Sequence, residues 1–88
     1  MNAPAEKSVY YISARPEAYE FWGEVGHDEA LRLASLIAER AARRFRNIEF
    51  RVDADWHMHP PGMELVAAYI DDHLPAWMAE LAARTRAA

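Results

Sequence analysis

The sequence contains no cysteine, a single lysine and only three scattered glycines. The lack of cysteine excludes a disulfide framework, a thiolate metal site and a cysteine nucleophile. The glycines form no phosphate-binding loop. Besides tyrosine, the hydroxyl side chains are Ser8, Ser13, Ser35 and Thr85. None of them lies in a nucleophile-elbow motif, so we expect a protein that is not an enzyme.

Long apolar runs are also absent. No stretch approaches the ~20 residues that a transmembrane helix requires, and residues 1–7 lack the basic start and apolar centre of a signal peptide. We therefore expect a cytoplasmic protein. The 88 residues suit one small domain, residues 1–88, with frayed ends at 1–6 and 85–88. A hydrophobic content of 52% is sufficient for a core.

Charge is distributed in blocks along the chain, and the net charge is −4. Residues 16–31 carry five acids and no base, residues 32–51 carry six arginines and two acids, and residues 52–83 carry six acids and no base. The negative balance disfavours a general nucleic-acid binder. The dominance of arginine over lysine, together with abundant alanine, suggests a GC-rich bacterial genome.

The most informative stretch is residues 47–59, where apolar and polar residues alternate strictly. One row is Ile48, Phe50, Val52, Ala54, Trp56 and Met58, and the other is Glu49, Arg51, Asp53, Asp55, His57 and His59. Alternation of this kind predicts a strand with one buried and one solvated face. The core-facing residues are expected to be Ile48, Phe50, Val52 and Trp56. A bend near Asp53–Asp55 would instead divide the stretch into two shorter strands.

The remaining elements follow from composition and periodicity. Residues 7–14 predict a strand that is apolar on both faces, hence central or covered on both sides. Residues 16–22 predict a short helix after Pro16, with Phe21 and Trp22 folded onto the core. If these two rings are exposed, they would instead mark an interface. Residues 28–46 predict a long helix capped by Asp28 or His27. Residues 63–84 predict a second long helix, kinked at Pro75.

Each long helix has an apolar face at three- and four-residue spacing. In the first helix this face is Ala30, Leu33, Ala34, Ile37, Ala41 and Phe45, widened by Leu31 and Ala38, and in the second it is Met63, Val66, Ile70, Leu74, Trp77 and Leu81. On the opposite side of the first helix, Glu39 and Arg43 are spaced to form an i,i+4 ion pair.

The predicted fold is therefore α+β, in the order strand-helix-strand-helix, with a small sheet of two or three strands covered on one face by two long helices. The helical connection implies that the strands are parallel. A two-stranded sheet is marginal by itself. Pairing of strand edges between two chains would give a four-stranded sheet, so we expect a homodimer.

One candidate site is a metal centre at His57 and His59 with Asp55. Alternate residues of an extended strand project to the same face about 6.6 Å apart, a spacing that allows two histidines to share zinc or nickel. His27 or His73 would supply a third nitrogen. The competing interpretation is a solvated polar face of the strand.

Two charged sets suggest macromolecular partners. The cluster of Arg40, Arg43, Arg44, Arg46 and Arg51 is a nucleic-acid hypothesis, and of these Arg40, Arg43 and Arg44 are the residues we select. The alternative is that these arginines face acids of the chain itself or of a partner chain. The acids Glu64, Asp71, Asp72 and Glu80 are candidates for contact with a basic protein surface.

The function that these observations favour is that of a small acidic, non-catalytic binding or regulatory protein with a protein partner. An inhibitor encoded by a phage or another mobile element would have this character. Metal binding through the histidine pair is the first alternative, and nucleic-acid binding through the arginines is the second.

Overall fold

The computed structural model describes residues 8–55 and 58–87. Its elements in chain order are strand β1 (Ser8–Ser13), a 3-10 helix (Pro16–Tyr19), helix α1 (His27–Arg44), strand β2 (Ile48–Asp53) and helix α2 (Glu64–Ala87). The predicted α+β class is confirmed. The order differs from the simple strand-helix-strand-helix alternation by the one-turn 3-10 helix between β1 and α1.

The sheet consists of β1 and β2 in parallel, with Ser8 opposite Ile48 and Ser13 opposite Asp53. The parallel direction was expected, because α1 lies in the connection between the strands and carries the chain back to its starting end. Within residues 8–55 and 58–87 the sheet has no third strand.

Strand β2 ends much earlier than the alternation indicates. One continuous strand to His59 is not formed, because pairing stops at Asp53. Residues Ala54 and Asp55 form a bend, as the alternative prediction expected, but residues 58 and 59 form no second strand. The backbone N–H of Asp55 donates to Oδ1 of Asp53 at 3.2 Å. This local bond occupies a donor that a continuing strand would direct to a neighbour. Trp56 and His57 lie outside the described residues.

The prediction that β1 is covered on both faces is also wrong. Tyr10 and Ile12 are buried, at 8% and 5% exposure, whereas Tyr11 between them is 37% exposed. The core cluster lies on the Tyr10 side, where the helices contribute Leu33, Ile37 and other apolar residues. The sheet therefore has one covered face and one that faces solvent.

The apolar faces predicted for the two helices form most of the core. The buried members are Ala30, Leu33, Ala34, Ile37 and Ala41 from α1 and Val66, Ile70, Leu74 and Trp77 from α2. Phe45, Met63 and Leu81 are partly buried against them. Leu31 is an exception at 53% exposure, since it lies beyond the contact face. Of the predicted core residues of β2, Ile48 is buried, Phe50 is half-buried and Val52 is 37% exposed.

The start of α1 differs from the predicted one. Its N-cap is Gly26 rather than Asp28 or His27, and no side chain caps the helix. The carbonyl of Gly26 accepts from the N–H of Ala30 at 2.9 Å, so the first turn closes on the glycine.

Phe21 does not fold onto the core, because it is 87% exposed. Trp22 does pack against the core.

Helix α2 runs continuously through Pro75 and extends to Ala87, beyond the predicted end at residue 84. Proline has no N–H, so the carbonyl four residues earlier loses its usual intrahelical donor. Pro75 is exposed, where water can satisfy that carbonyl. Neither α1 nor α2, the long helices of the described chain, is long and apolar enough to cross a membrane.

Tyr19 connects the 3-10 helix to the end of β1. Its ring is 4% exposed, and its hydroxyl donates to the backbone carbonyl of Ser13. Burial raises the pKa of Tyr19 well above its usual value, so the hydroxyl stays protonated and available as a donor.

We expect Tyr19→Phe to lower the free energy of unfolding by about 1 kcal/mol, because it removes this partly buried hydrogen bond and leaves the carbonyl of Ser13 without the donor. Urea unfolding followed by circular dichroism measures the change. Tyr69→Phe is the matched control, because it removes a hydroxyl from a half-buried ring and keeps the contact of that ring with His73. An equal loss in both variants would contradict a specific role for Tyr19.

Candidate functional site

The solvent-facing side of the sheet is the most distinctive surface of the structure. We define the open face as the side chains of Val9, Tyr11 and Ser13 from β1 and Glu49, Arg51 and Asp53 from β2, which the strand register places together. Arg51 Nε donates to Glu49 Oε2 at 2.6 Å. The hydrogen bond from Glu49, aided by its charge and by Tyr11, raises the pKa of Arg51. The prediction of a solvated polar row holds for these β2 residues.

The backbone of β2 has an accessible side as well. The N–H of Ala14 donates to the carbonyl of Asp53 at 2.8 Å. Successive residues of a parallel strand direct their backbone groups to opposite sides, so Phe50 and Val52 direct theirs away from β1. We define the outer edge of β2 as the backbone groups of residues 48–52 on this side. No second strand pairs with it within the described chain.

Part of that edge is already occupied near its start. The N–H of Ile48 donates to the carbonyl of Phe45 at 3.2 Å, in the turn that follows α1. The outer edge therefore presents the carbonyl of Ile48 and both backbone groups of Phe50 and of Val52. These are the groups that a strand from another polypeptide would use.

The other side of the sheet, beside β1, is different. Tyr19 occupies the carbonyl of Ser13, and a shallow groove of about 220 Å³ separates β1 from the 3-10 helix and α2. Trp22, Ile70 and Leu74 are among the side chains that line it. The 3-10 helix therefore lies beside the C-terminal end of β1 and bonds to one of its outward backbone groups.

The structure does not assemble the predicted metal ligands into one described group. His57 lies outside the described residues. His59 is exposed. Within residues 8–55 and 58–87 no three histidine or carboxylate side chains are arranged to hold a metal ion.

His73, considered as a further nitrogen ligand, belongs to an aromatic stack along α2. Its ring lies between those of Tyr69 and Trp77, with centroid distances of 4.2 and 5.4 Å. Its Nδ1 is 2.8 Å from the carbonyl oxygen of Tyr69. Phe45 contacts the same Tyr69 ring edge-on at 5.4 Å. These contacts give His73 a packing role on the helix.

The three arginines selected for nucleic-acid binding all have partners within the chain. Arg40 forms an ion pair with Glu80 at 2.5 Å, and Arg43 forms one with Glu39 at 2.7 Å, the predicted i,i+4 pair. The guanidinium of Arg44 lies over the rings of Phe45 and Tyr69, at 5.0 and 5.8 Å from their centroids. Arg40 and Arg43 thus face acids of their own chain, as the alternative interpretation expects, whereas Arg44 faces aromatic rings.

The four acids selected for a protein partner separate into two groups. Glu80 accepts from Arg40 and also pairs with Arg84 at 2.8 Å, so it joins α1 to α2. Glu64, Asp71 and Asp72 are exposed on the N-terminal half of α2. Partial burial, and next the charge of Asp72, raise the pKa of Asp71. Only these three retain the character of an acidic contact surface.

Two further concave surfaces were not among the sites predicted from the sequence. An apolar cleft of about 350 Å³ lies between the loop before α1 and the C-terminal part of α2, where Val25, Leu33, Met78 and Leu81 meet. A second groove of about 450 Å³ is lined by the acids Glu17, Glu20, Glu24 and Glu29. The acidic block of residues 16–31 is a sequence feature that could have indicated the acidic groove. The apolar cleft has no such feature, because it forms where segments far apart in the sequence pack together.

Comparison of the chain with protein-family models, with curated proteins and with solved structures finds no match.

The ion pair between α1 and α2 predicts a pH dependence of stability. The hydrogen bond from Arg40, followed by the charges of Arg40 and Arg84, lowers the pKa of Glu80. The stabilisation from Glu80 is therefore present above the unfolded-state pKa of a glutamate and is lost as the pH falls through the lower folded-state value. We expect Glu80→Gln to lower the melting temperature at pH 7 and to reduce this acid-dependent loss.

Thermal melts of wild type and Glu80→Gln between pH 3 and pH 7 measure the effect, with the range set by the ordinary carboxyl pKa of ~4.3. Glu17→Gln is the control, since Glu17 is an exposed carboxylate whose nearest base, Arg15, is 4.0 Å away. Parallel pH profiles for wild type and Glu80→Gln would contradict the role of the pair.

Asp71 and Glu64 should affect stability in opposite directions. The raised pKa of Asp71 means that its ionised form destabilises the fold, a cost that appears as the pH rises above the unfolded-state value. The backbone N–H groups of Glu64 and Gly62 lower the pKa of Glu64, so its ionised form stabilises the start of α2. We expect Asp71→Asn to raise the melting temperature at pH 7 and Glu64→Gln to lower it. Shifts of the same sign would contradict this assignment.

Proposed function

We propose that this chain is a small, non-catalytic binding protein that acts through protein–protein contacts. The observation that carries the proposal is the outer edge of β2, together with the open face beside it. The two surfaces are adjacent and belong to a strand that has a single neighbour in the described chain. A partner strand would find hydrogen-bonding groups at the edge and side-chain contacts on the face.

The energetics of small sheets support this proposal. A two-stranded sheet is marginal, and a further strand would satisfy the outward backbone groups of Phe50 and Val52. Exposed edges are commonly protected by proline, by charged side chains, above all lysine, or by a bulge. β2 contains neither proline nor lysine, and its side chains at positions 49 and 51 form a charge pair that is neutral in sum. The edge is accordingly open to pairing.

The charges of the open face would provide specificity. A partner strand beside β2 would meet Glu49, Arg51 and Asp53 in alternating sign, so a strand with complementary charges is preferred over one without them. The exposed acids Glu64, Asp71 and Asp72 on α2 offer a second contact for a basic partner. A regulatory or inhibitory role toward such a partner would use both surfaces.

A proline substitution tests the edge directly. We expect Val52→Pro to reduce capture of partner chains by at least about tenfold, equivalent to ~1.4 kcal/mol, because proline removes an outward N–H donor and is tolerated on an edge strand. Val52→Thr is the matched control, since it keeps both the N–H and the branched side-chain shape. Quantitative pull-downs from host lysate, with folding checked by circular dichroism, provide the measurement. Equal capture by wild type, Val52→Pro and Val52→Thr would exclude the outer edge as the binding surface.

A further inference from the structure

We infer that the occupant of the outer edge of β2 is the same edge of a second copy of this chain, paired antiparallel with Phe50 opposite the partner's Phe50. The inference rests on the proposed function, because it takes that edge as the binding surface. It adds the identity of the partner, the direction of the strands and the register.

Symmetry fixes the direction. A closed dimer of identical chains uses the same surface on both copies, related by a twofold axis. When the axis passes between two neighbouring strands and is perpendicular to their sheet, those strands run antiparallel. The sheet then has the order β1, β2, partner β2, partner β1. A sheet of four strands exceeds the three that independent stability commonly requires.

Charge then selects the register. With Phe50 at the axis, Glu49 lies opposite the partner's Arg51, and Arg51 lies opposite the partner's Glu49. Directly opposed residues at these positions have Cβ atoms about 5 Å apart, close enough for ion pairs to form. The guanidinium of Arg51 has five N–H donors, so it can keep its own contact with Glu49 while it binds the carboxylate of the partner's Glu49.

The neighbouring registers are less favourable. With Arg51 at the axis, the two arginines face each other and Glu49 lies opposite the partner's Asp53. With Glu49 at the axis, the two glutamates face each other. With Val52 at the axis, Arg51 meets the partner's Asp53, but Glu49 meets the partner's Asp55 beyond the end of the strand. Like charges directly opposed are destabilising, which disfavours the registers centred on Glu49 and Arg51. The register centred on Val52 pairs only residues 51–53 within the two strands, whereas the register centred on Phe50 pairs residues 48–52 and is therefore preferred.

The backbone groups of the outer edge fit the same register. Phe50 and the partner's Phe50 form a hydrogen-bonded pair that exchanges two N–H···O bonds. The N–H of Val52 then reaches the carbonyl of the partner's Ile48, and the symmetric bond forms in return. The N–H of Ile48, already bonded to Phe45, is not required as a donor to the partner.

The covered side of the sheet adds an apolar contact. Phe50 is half-buried and lies 5.6 Å from the ring of Tyr10 and 6.5 Å from that of Phe45. In the proposed register the partner's Phe50 lies directly opposite. The aromatic cluster of one copy would thus continue into that of the other across the axis.

Charge exchange across the axis provides the test. We measure the mass in solution by light scattering for wild type, Glu49→Arg, Arg51→Glu and the double variant Glu49→Arg/Arg51→Glu. The wild type is expected to be a dimer. In each single variant, two pairs of like charges face each other across the dimer. We expect the dissociation constant of the dimer to rise about 30-fold, which is within the range of energies of two cross-strand pairs.

The combinations distinguish pairing from a general loss of stability. In the double variant, the arginine at position 49 faces the glutamate at position 51 of the other copy, so both ion pairs form with their charges exchanged. We expect this variant to dimerise like the wild type. An equimolar mixture of Glu49→Arg and Arg51→Glu should form a heterodimer, because each arginine then meets a glutamate. Circular dichroism and thermal melts confirm that every variant is folded. Dimerisation of either single variant at wild-type strength, or failure of both restored combinations, would overturn the register.

The light-scattering measurements can overturn this inference without overturning the proposed function. A monomeric wild type would overturn the self-pairing, whereas the pull-down comparison of Val52→Pro with Val52→Thr would still show whether another protein binds the edge. A wild-type dimer unaffected by Val52→Pro and by the charge variants would place the dimer contact elsewhere and overturn the inference.

Discussion

Burial of the apolar surface of α1 is the interaction on which the rest of the fold depends. β1, β2, the 3-10 helix and α2 all pack against this helix. Its most buried positions include Ala30, Ala34 and Ala41, each with no exposed area. Small side chains at these positions let the neighbouring backbones approach closely, while Leu33 and Ile37 fill the space between them. Because α1 packs against only one face of the sheet, the opposite face remains exposed to solvent.

Much of the fold could be predicted because periodicity reports directly on burial. The apolar positions of both helices and the parallel direction of the strands follow from spacing and connection length alone. The length of β2 could not be predicted in this way, because Asp53 belongs to the alternating pattern yet its carboxylate accepts the N–H of Asp55 and ends the strand. Local hydrogen bonds of this kind compete with pairing without disturbing the pattern of residue types.

The charged residues illustrate a second limit. The sequence shows a basic block between two acidic blocks, and the i,i+4 pair of Glu39 and Arg43 follows from helix geometry. The pairing of Arg40 with Glu80, forty positions apart, depends on how α1 and α2 meet. Because they pair with each other, Arg40 no longer belongs to a free basic surface, and Glu80 no longer belongs to a free acidic one. The site was thus narrowed by the fold from broad charged regions to the open face, the outer edge and three acids of α2.

The bond between Tyr19 and the carbonyl of Ser13 has a consequence for how far assembly can proceed. A monomer with two reactive ends grows into a polymer, whereas a monomer with one reactive end stops after a single joining event. Tyr19 occupies the carbonyl at the end of β1, and the 3-10 helix lies beside it, so a chain joining on this side would meet a backbone group that is already bonded. If copies of the chain pair through β2 as proposed, this difference between the two sides of the sheet favours an assembly of two copies over one that continues into a fibre.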